Sequence, residues 1–260
     1  MLKRIIVGAS VAAAGWAGYA AVRRWWGSWG VDPAETIREL PGDDLVAHAS
    51  AVDTRGITVD APPEKVWPWI VQMGYGRAGW YGYDRLDMGG ASADRIVPDW
   101  QRLEVGDTLP THPDGGFEVK SLEPGHALVL YVDSVIAERW TKKGREQGAA
   151  EATPPGLAAS GRFLETSMPR EFATSWAFVV EPAGEGRTRL IERFRLRGAE
   201  DGAGARAMGA LLGFGVFVMA QRHMVGLKQR AEGVGRAPAA PAVTPVEPGV
   251  DESLGVAQPA

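Results

Sequence analysis

Hydrophobic and polar positions along the chain switch between a two-residue and a three-to-four-residue period, and each switch marks an element. Gly56-Ile57-Thr58-Val59 is β-branched and alternating, which predicts a strand. Asp60 follows as a cap, Pro62 and Pro63 open a helix, and Val66, Trp69, Ile70 and Met73 give it one apolar face before Gly74 ends it. Phe117 to Leu122 alternates with Glu118 and Lys120, and Ala127 to Val132 is a continuous apolar run. Glu123-Pro124-Gly125-His126 supplies the turn between these two strands. Thr174 to Val180 places Trp176, Phe178 and Val180 on one face. A Pro- and Gly-containing loop, Glu181 to Gly186, leads to a partner strand, Arg187 to Arg197. There Thr188, Leu190, Glu192, Phe194 and Leu196 share one parity, and the other is mostly Arg. The last pattern, Ala205 to Glu232, is helical and apolar nearly all round between Ala207 and Ala220. Fourteen residues are too few to span a bilayer, and Arg206 and Arg222 bracket them, which predicts a helix buried in protein.

The ends of the chain read differently. Ile5 to Val22 is an 18-residue stretch without a charge, flanked by Lys3-Arg4 and Arg23-Arg24. Trp25, Trp26 and Trp29 follow where amphipathic rings sit at headgroup depth. Residues 1–30 are therefore expected to be a single-pass membrane anchor, through residues 5–29, with a cleaved signal or a buried helix as the rival readings. The near-equal basic flanks leave the side of the membrane open. Asp32-Pro33-Ala34-Glu35 holds helix-start signals, so residues 31–44 are expected to be a short helical linker running to about Leu40 and stopped by Pro41-Gly42. Residues 141–160 read as a mobile excursion, and 233–260, rich in Pro and Ala, as a disordered tail. The domain proper is placed at 45–232.

Composition narrows the function classes. Of 260 residues, 45% are apolar and 23% charged, as in a globular chain with a real core. A net charge of -4 argues against a general nucleic-acid partner. Cysteine is absent, which excludes disulfides, a thiolate nucleophile and Cys-based metal sites. Asparagine is absent too, and with it the usual N-glycosylation acceptor. The histidines His48, His112, His126 and His223 show no metal-ligand spacing, so neither a metal nor a cofactor is expected.

The order of strand, Pro-opened helix, antiparallel strands and long final helix predicts an α+β chain. "GITVDAPPEKVWPWIVQMG" (Gly56 to Gly74) resembles the first strand and helix of the START-like, or SRPBCC, superfamily. "TSWAFVVEPAGEGRTRLIERFRLRG" and the helix after it resemble that family's last hairpin and grip helix. The resemblance covers about residues 45 to 232. "GWYGYDRLD" (Gly79 to Asp87) is similar to a version carried by bacterial members grouped with polyketide cyclases and lipid-transport proteins. What the resemblance implies is a helix-grip fold, a curved antiparallel sheet around the C-terminal helix, with a sterol, lipid, polyketide or quinone held between them. The N-terminal apolar helix and the long 133–173 region depart from a minimal family domain.

Candidate site residues follow. Gly74-Tyr75-Gly76-Arg77-Ala78-Gly79 matches GxGxxG but follows a helix and runs into aromatics, so a dinucleotide site is not expected. Trp80, Tyr81, Tyr83, Asp84, Arg85 and Asp87 form the densest aromatic and charged cluster, either a ligand wall or a loop packed on the domain, and Trp100 fits either reading. Glu192 sits on the apolar parity of its strand, between Leu190 and Phe194. It is expected either to have a raised proton affinity in a cavity or to pair with a buried Arg. His223 shares a helix face with Met219 and Val216, as a pocket residue or a satisfied structural group. The Arg stripe (Arg187, Arg189, Arg193, Arg195, Arg197) is expected to be a solvated outer face, with anionic headgroups as the other possibility. Together these predict a membrane-tethered module binding a lipid, isoprenoid quinone or polyketide-like molecule. A cyclase or aromatase acting through Tyr81, Tyr83, Asp84, Glu192 or His223, or a scaffold with a collapsed cavity, are the alternatives.

Overall fold

The computed structural model describes residues 15, 17–84, 91–112, 115–146, 171–198 and 203–234. The architecture is α+β: a six-stranded, fully antiparallel open sheet with helices on both sides. Helix α1 occupies 17–27. It is followed by α2 (Pro33–Ile37), β1 (Ala51–Val59), α3 (Pro63–Gln72), β2 (Thr108–His112), β3 (Gly115–Glu123), β4 (Ala127–Asp133), α4 (Ser134–Glu146), β5 (Ala173–Pro182), β6 (Thr188–Arg197) and α5 (Ala203–Ala231). Strand order is β1-β6-β5-β4-β3-β2, so the chain opens at one edge and then returns hairpin by hairpin from the other.

Alternation sorts the sheet into two faces. Register places Arg55 opposite Glu192, Trp176 opposite Phe194 and Phe178 opposite Glu192, so these side chains share the inner face. That face carries the main core. Leu128, Leu130, Phe178, Val180 and Leu190 from the sheet pack with Val66, Ile70 and Met73 of α3 and with Met224 and Leu227 of α5. The sheet is pinned at both edges. The Gly56 N–H of β1 donates to the Trp29 carbonyl at 3.0 Å, and the Tyr75 N–H donates to the Pro110 carbonyl of β2 at 2.8 Å.

The outer face differs from expectation. Arg189, Arg193 and Arg195 of the Arg parity are covered by the segment from residue 30 to residue 47, whereas Arg187 and Arg197 at the strand's ends are exposed as expected. Arg193 is buried and donates to Asp43 Oδ2 at 2.7 Å, to the carbonyls of Glu35 (2.8 Å), Thr36 (3.2 Å) and Arg38 (2.7 Å), and to Thr54 Oγ1 (3.0 Å). Arg189 pairs with Glu35 at 2.7 Å, and Arg195 donates to the Val46 carbonyl at 3.1 Å. A small second core of Leu40, Val179 and Ile191 sits under the same segment. These arginines clamp the N-terminal strap to the sheet.

Other elements shift for local reasons. α2 has the expected capping box, with the Asp32 N–H donating to Glu35 Oε2 and the Glu35 N–H donating to Asp32 Oδ1, each at 2.9 Å. It stops at Ile37, before the expected Leu40, because Arg193 takes the carbonyls a further turn would need. α3 has Pro62, not Asp60, at its cap position; Asp60 instead donates its N–H to Glu232 at 2.6 Å. β1 begins at Ala51, five residues before the expected strand, and β2 and α4 occupy stretches where no regular element is expected. The expected excursion at 141–160 is helical through Glu146 and otherwise lies outside the described residues, as does nearly all of the expected tail.

Residues 1–14 and 16 of the predicted anchor lie outside the described residues. Among the described residues no helix is long and apolar enough to cross a membrane. Its visible end, α1, is not a detached tether. Trp25 meets Phe217 of α5 edge-on with ring centroids 5.3 Å apart, Trp26 meets Phe214 at 5.4 Å, and Arg23 Nη1 lies 2.6 Å from Asp53 Oδ1. The apolar part of α5 is not wholly enclosed by protein, contrary to expectation. Phe217 and Ala220 are buried, while Phe214 and Val216 are exposed, because the sheet and α3 cover only the later turns.

Candidate functional site

A polar cluster lies buried on the inner face beneath α5. Arg55 of β1 is fully buried and donates from Nη2 to Asp53 Oδ2 at 2.9 Å, while its Nη1 lies 3.7 Å from Glu192 Oε1. The Trp176 indole N–H donates to the same Glu192 oxygen at 2.8 Å. Arg23, Asp53, Arg55, Glu192 and Trp176 thus form one ladder of charges and donors from α1 to the middle of the sheet. Phe217 of α5 closes it from above, with the Arg55 guanidinium 5.9 Å from its ring centroid.

Rings fill the floor next to the cluster. Trp80 stacks on Trp176 at 5.3 Å, and Phe178 tilts against Trp176 at 4.9 Å. Phe194 meets Trp176 edge-on at 6.3 Å. His223, one helical face up from these rings, lies 5.7 Å from Phe178 and 6.5 Å from Trp176. Its Nδ1–H donates to the Trp80 carbonyl at 2.5 Å, which fixes the tautomer and leaves Nε2 as an acceptor.

The electrostatics follow from burial. Desolvation pushes the Glu192 carboxyl up from the ordinary range; Arg55 and the Trp176 N–H oppose this, and Asp53 adds to it. Burial pulls His223 down to about 4, with Arg230 acting in the same sense and the bond to Trp80 against it. The imidazole is therefore neutral at ordinary pH. Among the described residues, nine buried side-chain atoms lack a hydrogen-bond partner, and four of them belong to Glu192 (Oε2), Arg55 (Nε and Nη1) and His223 (Nε2). Each unmade bond costs on the order of 1–3 kcal/mol, so these atoms would gain from a polar group brought next to them.

The sequence-predicted residues divide accordingly. Trp80, Trp176, Glu192, Phe194 and His223 are brought together, and Glu192 meets both expectations, raised proton affinity and a buried Arg partner. Met219 is half-buried on the same helix. Tyr81 is buried behind His223, their rings stacked at 6.0 Å, but its hydroxyl is committed to the Trp69 carbonyl at 2.8 Å. Burial raises its pKa, so it serves as packing. Tyr83 is exposed, and Asp84 accepts a bond from Ser92 Oγ at 2.5 Å. Trp100 packs at the rim of the main core, its carbonyl held by Arg77 at 2.8 Å. Arg85 and Asp87 lie outside the described residues. The GxGxxG segment forms a closed turn with Gly74 bridged to Gly79.

Arg55 and Asp53 are the members of the cluster that pattern reading misses. Asp53, Arg55, Ile57 and Val59 keep one parity, and a charged pair continuing an apolar register is the signal that could have found them. A separate groove of about 300 Å³ lies on the other face, lined by Thr108, Glu118, Ile136, Arg139 and Trp140, and holds none of the predicted residues.

No family model matches the chain, and no curated protein matches it. Among solved structures it is similar to protein MLL2253 from Mesorhizobium loti, at 16% identity over 70% of this chain and 98% of that one, with a TM-score of 0.33. It is also similar to protein CV1439 from Chromobacterium violaceum, at 12% identity over 70% of this chain and 96% of that one, with a TM-score of 0.35.

Proposed function

We propose that the chain is a START-like, helix-grip binding module that holds an apolar molecule with a small polar head beneath α5. A hydroxyl or keto group engages Arg55, Glu192 and His223, and the apolar body lies along Phe194, Phe217 and Met219. The observation that carries this reading is the buried set of unpartnered donors and acceptors around a neutral His and a carboxylate with raised proton affinity, walled by aromatic rings. An isoprenoid quinone or a hydroxylated lipid fits both halves of that description. The stacked Trp80–Trp176 floor favours a ligand held at the Phe217 end of the helix over one spread through the whole interface.

The cluster also has a purely structural reading, and one variant separates the two. Replacing a buried ion pair with apolar residues of similar volume is often neutral or stabilising. Arg55→Met/Glu192→Met is therefore expected to keep the fold, with a loss of about 1–3 kcal/mol because the Trp176 N–H and Asp53 Oδ2 lose their partners while Arg23 still neutralises Asp53. It is also expected to lose ligand, read by native mass spectrometry of the detergent-purified protein and by quenching of intrinsic tryptophan fluorescence with a quinone and lipid panel. Equal ligand retention by parent and double variant, or an empty parent that binds nothing in the panel, overturns the proposal.

A further inference from the structure

The exposed apolar surface is concentrated where α1 and the first half of α5 lie side by side. Trp25 is 58% exposed, Val22 49%, Phe214 44% and Val216 40%, and Tyr19 joins them. The Trp25–Phe217 and Trp26–Phe214 contacts fasten the two helices together, so these residues belong to one patch on two elements. A helix apolar all round needs apolar surroundings on every side. Residues 207 to 220 of α5 have that character, yet the protein covers Phe217 and Ala220 and leaves Phe214 and Val216 bare.

We propose that this two-helix patch docks on a lipid bilayer and that the site beside Phe217 opens toward it. Three observations favour a bilayer over another protein. The uncharged stretch Ile5–Val22 runs directly into α1, so the patch is continuous with enough apolar sequence to enter hydrocarbon. Arg24 and Trp25 stand exposed together at the end of that stretch, the residue types that settle at the headgroup boundary. The apolar surface also includes Phe214 and Val216 of α5, so a bilayer that takes in α1 meets the final helix as well. Phe217 then touches both the buried Arg55 guanidinium and the docked edge, and a ligand passes between membrane and site without crossing water. That last step rests on the proposed ligand site; the docking does not.

The chain has no cysteine, so single labels are specific. Phe214→Cys, Val216→Cys and, as a control on α2, Ile37→Cys would each carry an environment-sensitive fluorophore in phosphatidylcholine–phosphatidylglycerol vesicles with and without doxyl-labelled lipid. The labels at 214 and 216 are expected to shift blue and to be quenched several-fold more than the label at 37. Equal quenching at all three positions overturns the proposal. A blue shift at 214 and 216 without doxyl quenching also overturns it and assigns the patch to a second copy of the chain. No ligand enters the measurement, so its failure leaves the ligand reading standing, and an empty site leaves the docking standing.

Discussion

At the scale of single residues, the chemistry of the site depends on which groups are denied water. His223 keeps a neutral ring because burial holds its pKa at about 4 against an ordinary 6.5. Between those values the unfolded chain carries a proton that the native state does not, so stability falls as pH drops through that window. The full effect is roughly 3 kcal/mol by the linkage relation. Glu192 works in the opposite sense, since its native form favours the proton and is relieved by acid. His223→Gln retains a donor for the Trp80 carbonyl and removes the titration. Its urea-unfolding midpoint is expected to depend less on pH between 6.5 and 4 than the parent's; parallel curves would show that His223 does not titrate as its burial implies. Glu192 and His223 were legible as candidates because each breaks the polarity of its own face. Arg55 was not, because its importance lies in a partner 137 positions away that only register reveals.

At the scale of elements, close approach replaces the space the sequence seemed to promise. Gly226 of α5 sits against the Tyr81 backbone, where a Cβ would come within 1.8 Å of the Tyr81 carbonyl oxygen. Tyr81 itself adopts a positive φ of 55°, held by its N–H donating to Ser92 Oγ at 3.0 Å. Gly226→Ala must therefore push the helix off this loop. We expect a loss of about 1–3 kcal/mol in thermal or urea unfolding, whereas Gly209→Ala, with open space around it, should be harmless or mildly stabilising. An unchanged Gly226→Ala protein would mean that the loop yields freely. Sequence periodicity revealed α3 and the alternating strands, while β4 and α5 stood out as apolar runs of different length. It missed β2, whose Pro110 reads as a breaker and is tolerated only because the strand is an edge. It missed α4 because a charged, weakly apolar sequence hides Ile136, which the fold buries.

At the scale of the whole molecule, the N-terminal strap is the part that sequence reading placed least well. Tethers and straps look alike in composition, and only the arginines on a strand far along the chain tell them apart. Arg193 holds Asp43 and three strap carbonyls from a buried position, so Arg193→Ala strands several polar groups at once. A loss on the order of 3 kcal/mol is expected, with faster proteolysis within residues 30–47. The exposed Arg187→Ala should leave both unchanged. Similar digestion rates for the two variants would show that the strap is held by Leu40 and its neighbours alone. A strap fixed in this way sets the direction of α1 relative to the sheet, and with it the tilt of the domain against whatever α1 enters.

The pinned edges of the sheet matter most where many copies share a surface. Molecules confined to two dimensions collide in nearly fixed orientation, and a bare strand edge would then zip neighbours into ribbons. Here one edge is occupied by the Trp29 carbonyl, and the other is short, kinked by Pro110 and capped by Tyr75. Copies of this protein crowded on one surface would thereby meet no free run of strand backbone on which to pair.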